Sequence, residues 1–352
     1  MRRMVFAALA TTAAVFSAAV PGKARGEPQP TISGPFVYAN LAIYFVHGPS
    51  VDGPVPRTLQ EAMARGTVHL VETGSVNELK IENTGDEDVY IQSGDIVKGG
   101  RQDRVLTASF VLPRKSGEIP IAAYCVEHGR WSARGTEDPA KFASSYNSLP
   151  SRVAKLAMNA PLPQASPASS QDGSHFYRGS ETGSRQTAVW AEVAKTQEKL
   201  AEGVKAPVAS PVSATSLELS LENEKLQGLR AGYIKALEDK AGGADIIGFV
   251  FAINGRINSA DIYPSNGLFR KMWAKLLAAS VTEALSETKN TQAAAPAAEA
   301  VRDFLSASEK GKANAQSIGS LVRQESRDGA SVLFIEAATP AGQWVHRNYL
   351  AK

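Results

Sequence analysis

The chain has a single cysteine, Cys125, among 352 residues. No internal disulfide can form, so stability has to come from packing. The lone thiol is either buried and inert or reactive. Metal signatures are missing as well. The five histidines (His47, His69, His128, His175 and His346) are scattered, with no His-Glu-x-x-His or Cys-x-x-Cys spacing. Asp95, Asp103 and Glu127 could hold a hard cation, but their spacing does not require one. No Walker A loop, Rossmann turn or Gly-x-Ser-x-Gly elbow occurs. Beyond residue 26 no apolar run approaches the ~20 residues that span a bilayer, and no fixed-period repeat stands out.

The N-terminus is the one segment with an apolar run of note. "MRRMVFAALATTAAVFSAAVPGKARG" places two arginines before an alanine-rich stretch and ends in small residues. This is a secretory signal layout, with cleavage expected after Gly26 and a secreted or periplasmic mature chain. The competing reading is an uncleaved membrane anchor, disfavoured because the run is alanine-rich and breaks at Pro21-Gly22. Four of the 38 basic residues and none of the 35 acidic ones lie in residues 1–26, so the remaining chain carries a net charge of −1. That charge supports neither a nucleic-acid partner nor a membrane-surface role. No stable membrane span is expected after cleavage.

Residues 31–135 read as an antiparallel β domain, a sandwich or curled sheet. "FVYANLAIYFV", alternating "TVHLVET" and "ELKIENTGDEDVYIQSGD" are its early strands, the last with a turn at Thr84-Gly85-Asp86. "RVLTASFVLP" and "IPIAAYCVE" flank a turn at "RKSGE". Residues 136–290 read as an α+β continuation with long amphipathic helices. Residues 139–160 are expected to be helical, with Phe142, Tyr146 and Leu149 on one side. The Pro-, Ser- and Gly-rich stretch 161–186 is expected to be a mobile connection. Val189, Trp190, Val193, Gln197 and Leu200 follow helical spacing. Asn254-Gly255 between apolar runs predicts a hairpin. A helix follows, with Phe269, Met272, Trp273, Leu276, Leu277 and Ser280 as its buried stripe. Residues 291–352 supply a further helix and three closing strands. The fold class is therefore α+β, β-rich first and mixed later.

Two stretches concentrate chemistry. "GDIVKGGRQDRVL" (94–106) follows one strand and leads into another. Gly99-Gly100 allows positive φ and close backbone approach, and successive N–H groups in such a turn can cradle an anion. Lys98, Arg101 and Arg104 supply charge, and arginine suits phosphate or carboxylate. Alone, the loop reads rather as a hairpin with a solvated basic rim. "YCVEHGRW" (124–131) closes a strand. Alternation places Cys125 and Glu127 on one face and Tyr124, Val126 and His128 on the other. A Cys125–His128 nucleophile and base pair is disfavoured unless a bulge intervenes. Glu127 needs a partner if it faces inward, and Arg101, Arg104 and Arg130 are available. His128 reads as a rim histidine and Trp131 as a core residue rather than a stacking platform.

The linked motifs Gly99-Gly100-x-Gln102-x-Arg104 and Cys125-Val126-Glu127-x-Gly129-Arg130-Trp131 resemble the ARG and rhodanese-phosphatase superfamily associated protein domain family, where ARG denotes ADP-ribosylglycohydrolase. "LKIENTGDEDVYI" and "VFAINGRINSADIYPSNGLFRKMWAKLL" extend the resemblance over most of residues 35–290. The family name suggests, by analogy alone, a link to ADP-ribose or NAD metabolism. It carries over no reaction and no cofactor, and an exported chain fits an intracellular NAD link poorly.

The resemblance implies that the two stretches form one site. In that picture Gly99, Gly100, Arg101, Gln102, Arg104, Arg130 and Trp131 bind a small anionic ligand, and Glu127 pairs an arginine or acts as general base. Asp95, Asp103, Cys125 and His128 surround them, and no metal is implied. Two classes of function follow. One is a ligand-binding or hydrolytic domain for a phosphate- or ADP-ribose-like molecule, with Gln102, Arg104 and Glu127 converging on a concave site. The other is a non-catalytic exported module in which the same residues form buried, mutually satisfied pairs that lock hairpins together.

Overall fold

The computed structural model describes residues 30–132, 134–135, 137–159, 174–287 and 293–352. The leader expected at residues 1–26 and the first half of the stretch expected to be mobile, 161–173, lie outside the described residues. The chain opens with β1 (Thr31–Tyr38), β2 (Leu41–His47), β3 (Arg57–Thr58), α1 (Leu59–Ala64), β4 (Val68–Glu72), β5 (Glu78–Asn83) and β6 (Val89–Ile91). It continues through β7 (Asp95–Gly99), β8 (Arg104–Leu106), β9 (Phe110–Leu112), β10 (Gly117–Cys125) and β11 (Phe142–Ser148). Helices α2 (Arg152–Asn159), α3 (Ser174–Val204), α4 (Leu217–Leu221) and α5 (Glu224–Leu237) follow. Then come β12 (Ile246–Ile253), β13 (Arg256–Ile262), α6 (Asn266–Ser286) and α7 (Ala298–Ser308). Strands β14 (Ala313–Ile318), β15 (Val322–Asp328), β16 (Val332–Ala338) and β17 (Trp344–Ala351) close the chain, four where three were expected.

The fold is mixed α+β, and its N-terminal part is mostly β. An eight-stranded antiparallel sheet runs β1-β2-β12-β13-β17-β16-β15-β14, so the first two strands join the sheet of the last six. A six-stranded sheet runs β11-β7-β8-β10-β5-β4, and a small third sheet runs β3-β6-β9. Strands β5 and β6, joined by the turn expected at Thr84-Gly85-Asp86, belong to different sheets, and "RVLTASFVLP" splits between two sheets. Hairpin turns alone do not decide pairing when both flanking strands have other apolar faces to cover.

Strand β2 shows how the large sheet is covered. Leu41, Ile43 and Phe45 pack with Phe249, Phe269, Trp273 and Leu276 in the main core. Their alternates Ala42, Tyr44 and Val46 pack with Val301 and Leu305 of α7. Both faces are buried, which is why "LAIYFV" is a continuous apolar run. The Asn254-Gly255 hairpin is present, with φ of 51° and 75°. The expected stripe of α6 is buried from Phe269 to Ser280, and Ser265 caps the helix. No helix among the described residues is long and apolar enough to cross a membrane.

Two helical expectations need correcting. Residues 142–148 form β11, not the first turns of a helix, and pair with β7 from Phe142↔Gly99 to Ser148↔Asp95. Tyr146 is 79% exposed, whereas Leu149 is buried. Ser144, Ser145, Asn147 and Ser148 favour local hydrogen bonds over a helix, and helix begins only beyond Pro150. Conversely, residues 174–186, assigned to the mobile stretch, are the first turns of α3. No proline interrupts them, and Gln186 docks firmly on β10.

Candidate functional site

Strands β7 and β8 meet in a tight turn at Gly99-Gly100, with φ of 112° and 54°. A Cβ on Gly99 would stand 2.6 Å from Lys141 O, and one on Gly100 would stand 2.2 Å from Phe142 Cζ. Only glycine lets the turn press this closely on β11. Of the three successive amides after Lys98, two meet anions, and those anions are the protein's own carboxylates. Gly99 N–H donates to Asp103 Oδ1 at 2.9 Å, and Arg101 N–H donates to Glu72 Oε1 at 3.0 Å. Gly100 N–H donates to Lys141 O at 2.9 Å. The anion cradle expected of this loop is filled from within.

Behind the turn lies a buried ionic network. Gln102, Asp103, Arg104, Cys125 and Glu127 are all 0% exposed. Asp103 receives Arg134 in a two-pronged contact at 2.8 and 3.1 Å, together with Ser216 Oγ at 2.7 Å. Glu127 receives Arg130 Nε at 2.8 Å, the Asp103 amide at 3.1 Å and the Ser213 hydroxyl. The rest of the Arg130 guanidinium donates to the carbonyls of Gly99, Gly100 and Ser132. Arg104 donates to Gln102 and Glu72, at 3.2 to 3.4 Å, and its buried Nε has no hydrogen-bond partner among the described residues. Gln102 in turn donates to Glu127 O and accepts from Cys125 Sγ.

Helix α3 is tied to the same network. Gln186 closes both backbone groups of Cys125, at 2.8 and 2.9 Å, and Trp190 Nε1 donates to Glu127 O. Ser216 both serves Asp103 and caps α4. Burial raises the Glu127 carboxyl, but the bonds from Arg130, Ser213 and the Asp103 amide outweigh it and hold it below the usual range. For Arg134 burial works against the charge, yet the Asp103 contact prevails and the guanidinium is held more firmly protonated. Burial pushes the Cys125 thiol up to about 11, despite the nearby Arg104 charge. A thiol this protonated is a poor nucleophile at neutral pH.

The structure thus brings together Gly99, Gly100, Gln102, Asp103, Arg104, Cys125, Glu127 and Arg130. It leaves others apart. Asp95 pairs with Lys275 at 2.7 Å and accepts from the Gln92 amide, away from this network. The Arg101 side chain is exposed, and Trp131 is 48% exposed rather than in the core. His128 packs edge-on against Trp190, with ring centroids 4.5 Å apart. Alternation holds at the strand end: Tyr124 and Val126 enter the main apolar core while Cys125 and Glu127 face the polar network. Sequence reasoning did not find Glu72, Arg134, Gln186, Ser213 or Ser216. They come from four other parts of the chain, and no short motif marks them.

A second polar chain was also missed. His346 on β17 bonds Ser109 Oγ through Nδ1 at 2.9 Å and Asp261 Oδ1 through Nε2 at 3.0 Å. All three are at most 3% exposed. Ser109 also accepts from the Ser93 amide, so the chain ties the large sheet to the loop between β8 and β9. Among the described residues no group of three or more His, Cys, Asp or Glu side chains is placed to hold a metal ion.

Fold and network together define a mixed α+β protein in which buried ion pairs join two motif loops and hydrogen bonds tie a long helix to them. The chain belongs to the family of the ARG and Rhodanese-Phosphatase-superfamily-associated Protein domain, ARPP-1, whose sequence model matches residues 29–350. No curated protein and no solved structure matches it.

Proposed function

We propose that this ARPP-1 protein is exported and that its family motifs act as a structural lock, not as a catalytic centre. The observation that carries this reading is the saturation of Glu127 and Asp103. Each carboxylate is enclosed, and each is served by an arginine, a hydroxyl and a backbone amide. A general base has to reach a substrate proton within hydrogen-bond distance. Glu127 meets only its own partners, and its lowered pKa weakens it further as a base. Export rests on the N-terminal layout of two arginines, an alanine-rich run and small residues.

A thermal-shift panel with ADP-ribose, NAD, phosphate and sulfate tests the lock, using wild type, Glu127→Gln and Arg104→Ala. A ligand held only by the folded state raises the melting temperature by mass action. The lock predicts that both variants melt lower without ligand and that neither variant abolishes a ligand shift. A shift seen in wild type and lost in a still-folded Arg104→Ala would restore the loop as a working site. Intact mass of the protein recovered outside the cytoplasm tests export, with a chain starting at Glu27 as the expected product.

A further inference from the structure

On the far side of α3 from the motif network, a cleft of about 610 Å³ opens between α2, α3, the β12–β13 hairpin and the end of α6. Its volume lies in the range of small-molecule sites. Four cations line it (Arg152, Lys195, Lys199 and Arg256) against three carboxyls, Glu192, Glu283 and Glu287. Lys195 pairs with Glu192 and Lys199 with Glu287, in each case at 2.7 Å, but both lysines are at least half exposed. Exposed pairs of this kind are weak and readily exchanged for a better anion.

The floor is built differently. Glu283 is 9% exposed and accepts from the Arg152 amide at 2.9 Å and Asn258 Nδ2 at 3.1 Å. Both bonds use Oε1. Arg152 is pinned by Ala351 O through Nη1, while its Nε is buried with no partner among the described residues. A buried donor without a partner costs free energy unless something else meets it. Burial raises the Glu283 carboxyl, although the Arg152 amide, Asn258, Lys155 and Arg152 oppose the rise. Its proton is therefore retained further toward neutrality than in an ordinary glutamate. Pro150, Val153, Ile253 and Ile257 add apolar wall beside these polar groups.

We propose that this cleft binds a small sugar phosphate, with Lys199 and Arg256 meeting the phosphate and Arg152, Asn258 and Glu283 meeting the hydroxyl-bearing body. The volume exceeds what a bare phosphate fills, and the mixed wall suits a ring with apolar faces and polar edges. The site is independent of the lock reading, because it uses none of the motif residues.

Isothermal titration calorimetry on the purified full chain at low ionic strength tests it, with glucose-6-phosphate, glucose and inorganic phosphate as probes. Glucose-6-phosphate is expected to bind, glucose not to bind, and inorganic phosphate to bind more weakly. The double variant Lys199→Ala/Arg256→Ala is expected to lose at least ~10-fold in affinity, as befits two lost charge contacts. Circular dichroism melting shows whether that variant stays folded, and Lys199→Arg/Arg256→Lys, which keeps both charges, is expected to retain binding. No binding of glucose-6-phosphate to folded wild type overturns the proposal, as does equal binding by the folded double alanine variant. Inorganic phosphate binding as tightly as glucose-6-phosphate overturns the sugar-phosphate class.

Discussion

Replacing Arg134 by methionine removes one charge from the ionic network while keeping most of the side-chain stem. In the native protein Arg134 gives Asp103 two hydrogen bonds, at 2.8 and 3.1 Å, and approaches Glu127 at 3.5 Å. The Arg134 side chain is 2% exposed and that of Asp103 is 0%. Without Arg134, Asp103 retains only Ser216 Oγ and the Gly99 amide, and the Arg130 guanidinium is 3.9 Å away. Breaking a buried pair from one side costs about 3–5 kcal/mol, because the other charge stays enclosed. The contacts to Glu137 add little, since that side chain is one-third exposed. At roughly 2 °C per kcal/mol for a chain of this size, the melting temperature should fall by about 6–10 °C. The assay is urea unfolding followed by circular dichroism, run as a double-mutant cycle with Asp103→Asn. A coupling energy of about 1.5 kcal/mol or more is expected between the two positions. A single-variant loss below about 1 kcal/mol, or strict additivity in the cycle, refutes the lock.

Three further outcomes follow from the same geometry. Glu127 is held below its ordinary pKa, so its contribution is full above the unfolded value of about 4.3 and is lost as pH falls through the folded value. The melting-temperature gap between wild type and Glu127→Gln should therefore be widest at neutral pH and close below about pH 4; a constant gap contradicts this. Glu218 is the opposite case: burial raises its carboxyl, despite bonds from Ser145 and Asn147, and its Oε2 is buried without a partner among the described residues. Its contribution is full below the unfolded value and is lost as pH rises through the folded one, so Glu218→Gln should gain on wild type from pH 4 to 8, read by melting temperature. Gly100→Ala would set a methyl 2.2 Å from Phe142 Cζ at a φ of 54° and should cost at least about 2 kcal/mol. Phe142→Ala should recover part of that loss in a cycle of unfolding measurements, and no recovery would mean that backbone strain dominates.

What could be read in the sequence was local. Asn254-Gly255 marks its own hairpin because few dipeptides accept that backbone, and α6 declares itself by a stripe with helical spacing. Alternation carried past the end of β10 placed Cys125 and Glu127 together, and both do face the network although the strand itself ends at Cys125. The partners were not local. Asp103 finds Arg134 at 31 positions and Ser216 at 113 positions along the chain, and Cys125 finds Gln186 at 61. Nothing in the composition near Arg134 distinguishes it from a surface arginine. The turn at Gly99-Gly100 was legible as a place for anions, but not as a place already occupied by Asp103 and Glu72. Residues 142–148 misled for a related reason: their spacing allows a helix, while their serines and asparagine gain more as an added edge strand on β7.

The placement of the lock explains why charge is used where apolar residues would cost less to bury. Apolar contacts are tolerant of sliding, since any close-packed arrangement of similar volume satisfies them. Asp103 has no such tolerance. Its four donors come from β7, from the loop after β10 and from the N-cap of α4, and shifting any of these elements leaves a buried carboxylate short of a partner. Glu127 does the same for the segment that carries Ser213, and its backbone carbonyl does so for α3 through Trp190. Such a network fixes the position of α3 along its axis as well as its attachment. That matters because the same helix presents Glu192, Lys195 and Lys199, two to nine residues beyond Trp190, to the cleft. A slide of one residue would carry these side chains about 1.5 Å along the wall and rotate them about 100° around it. The motif network thus holds the helix that forms one wall of the cleft, although no motif residue lines the cleft itself.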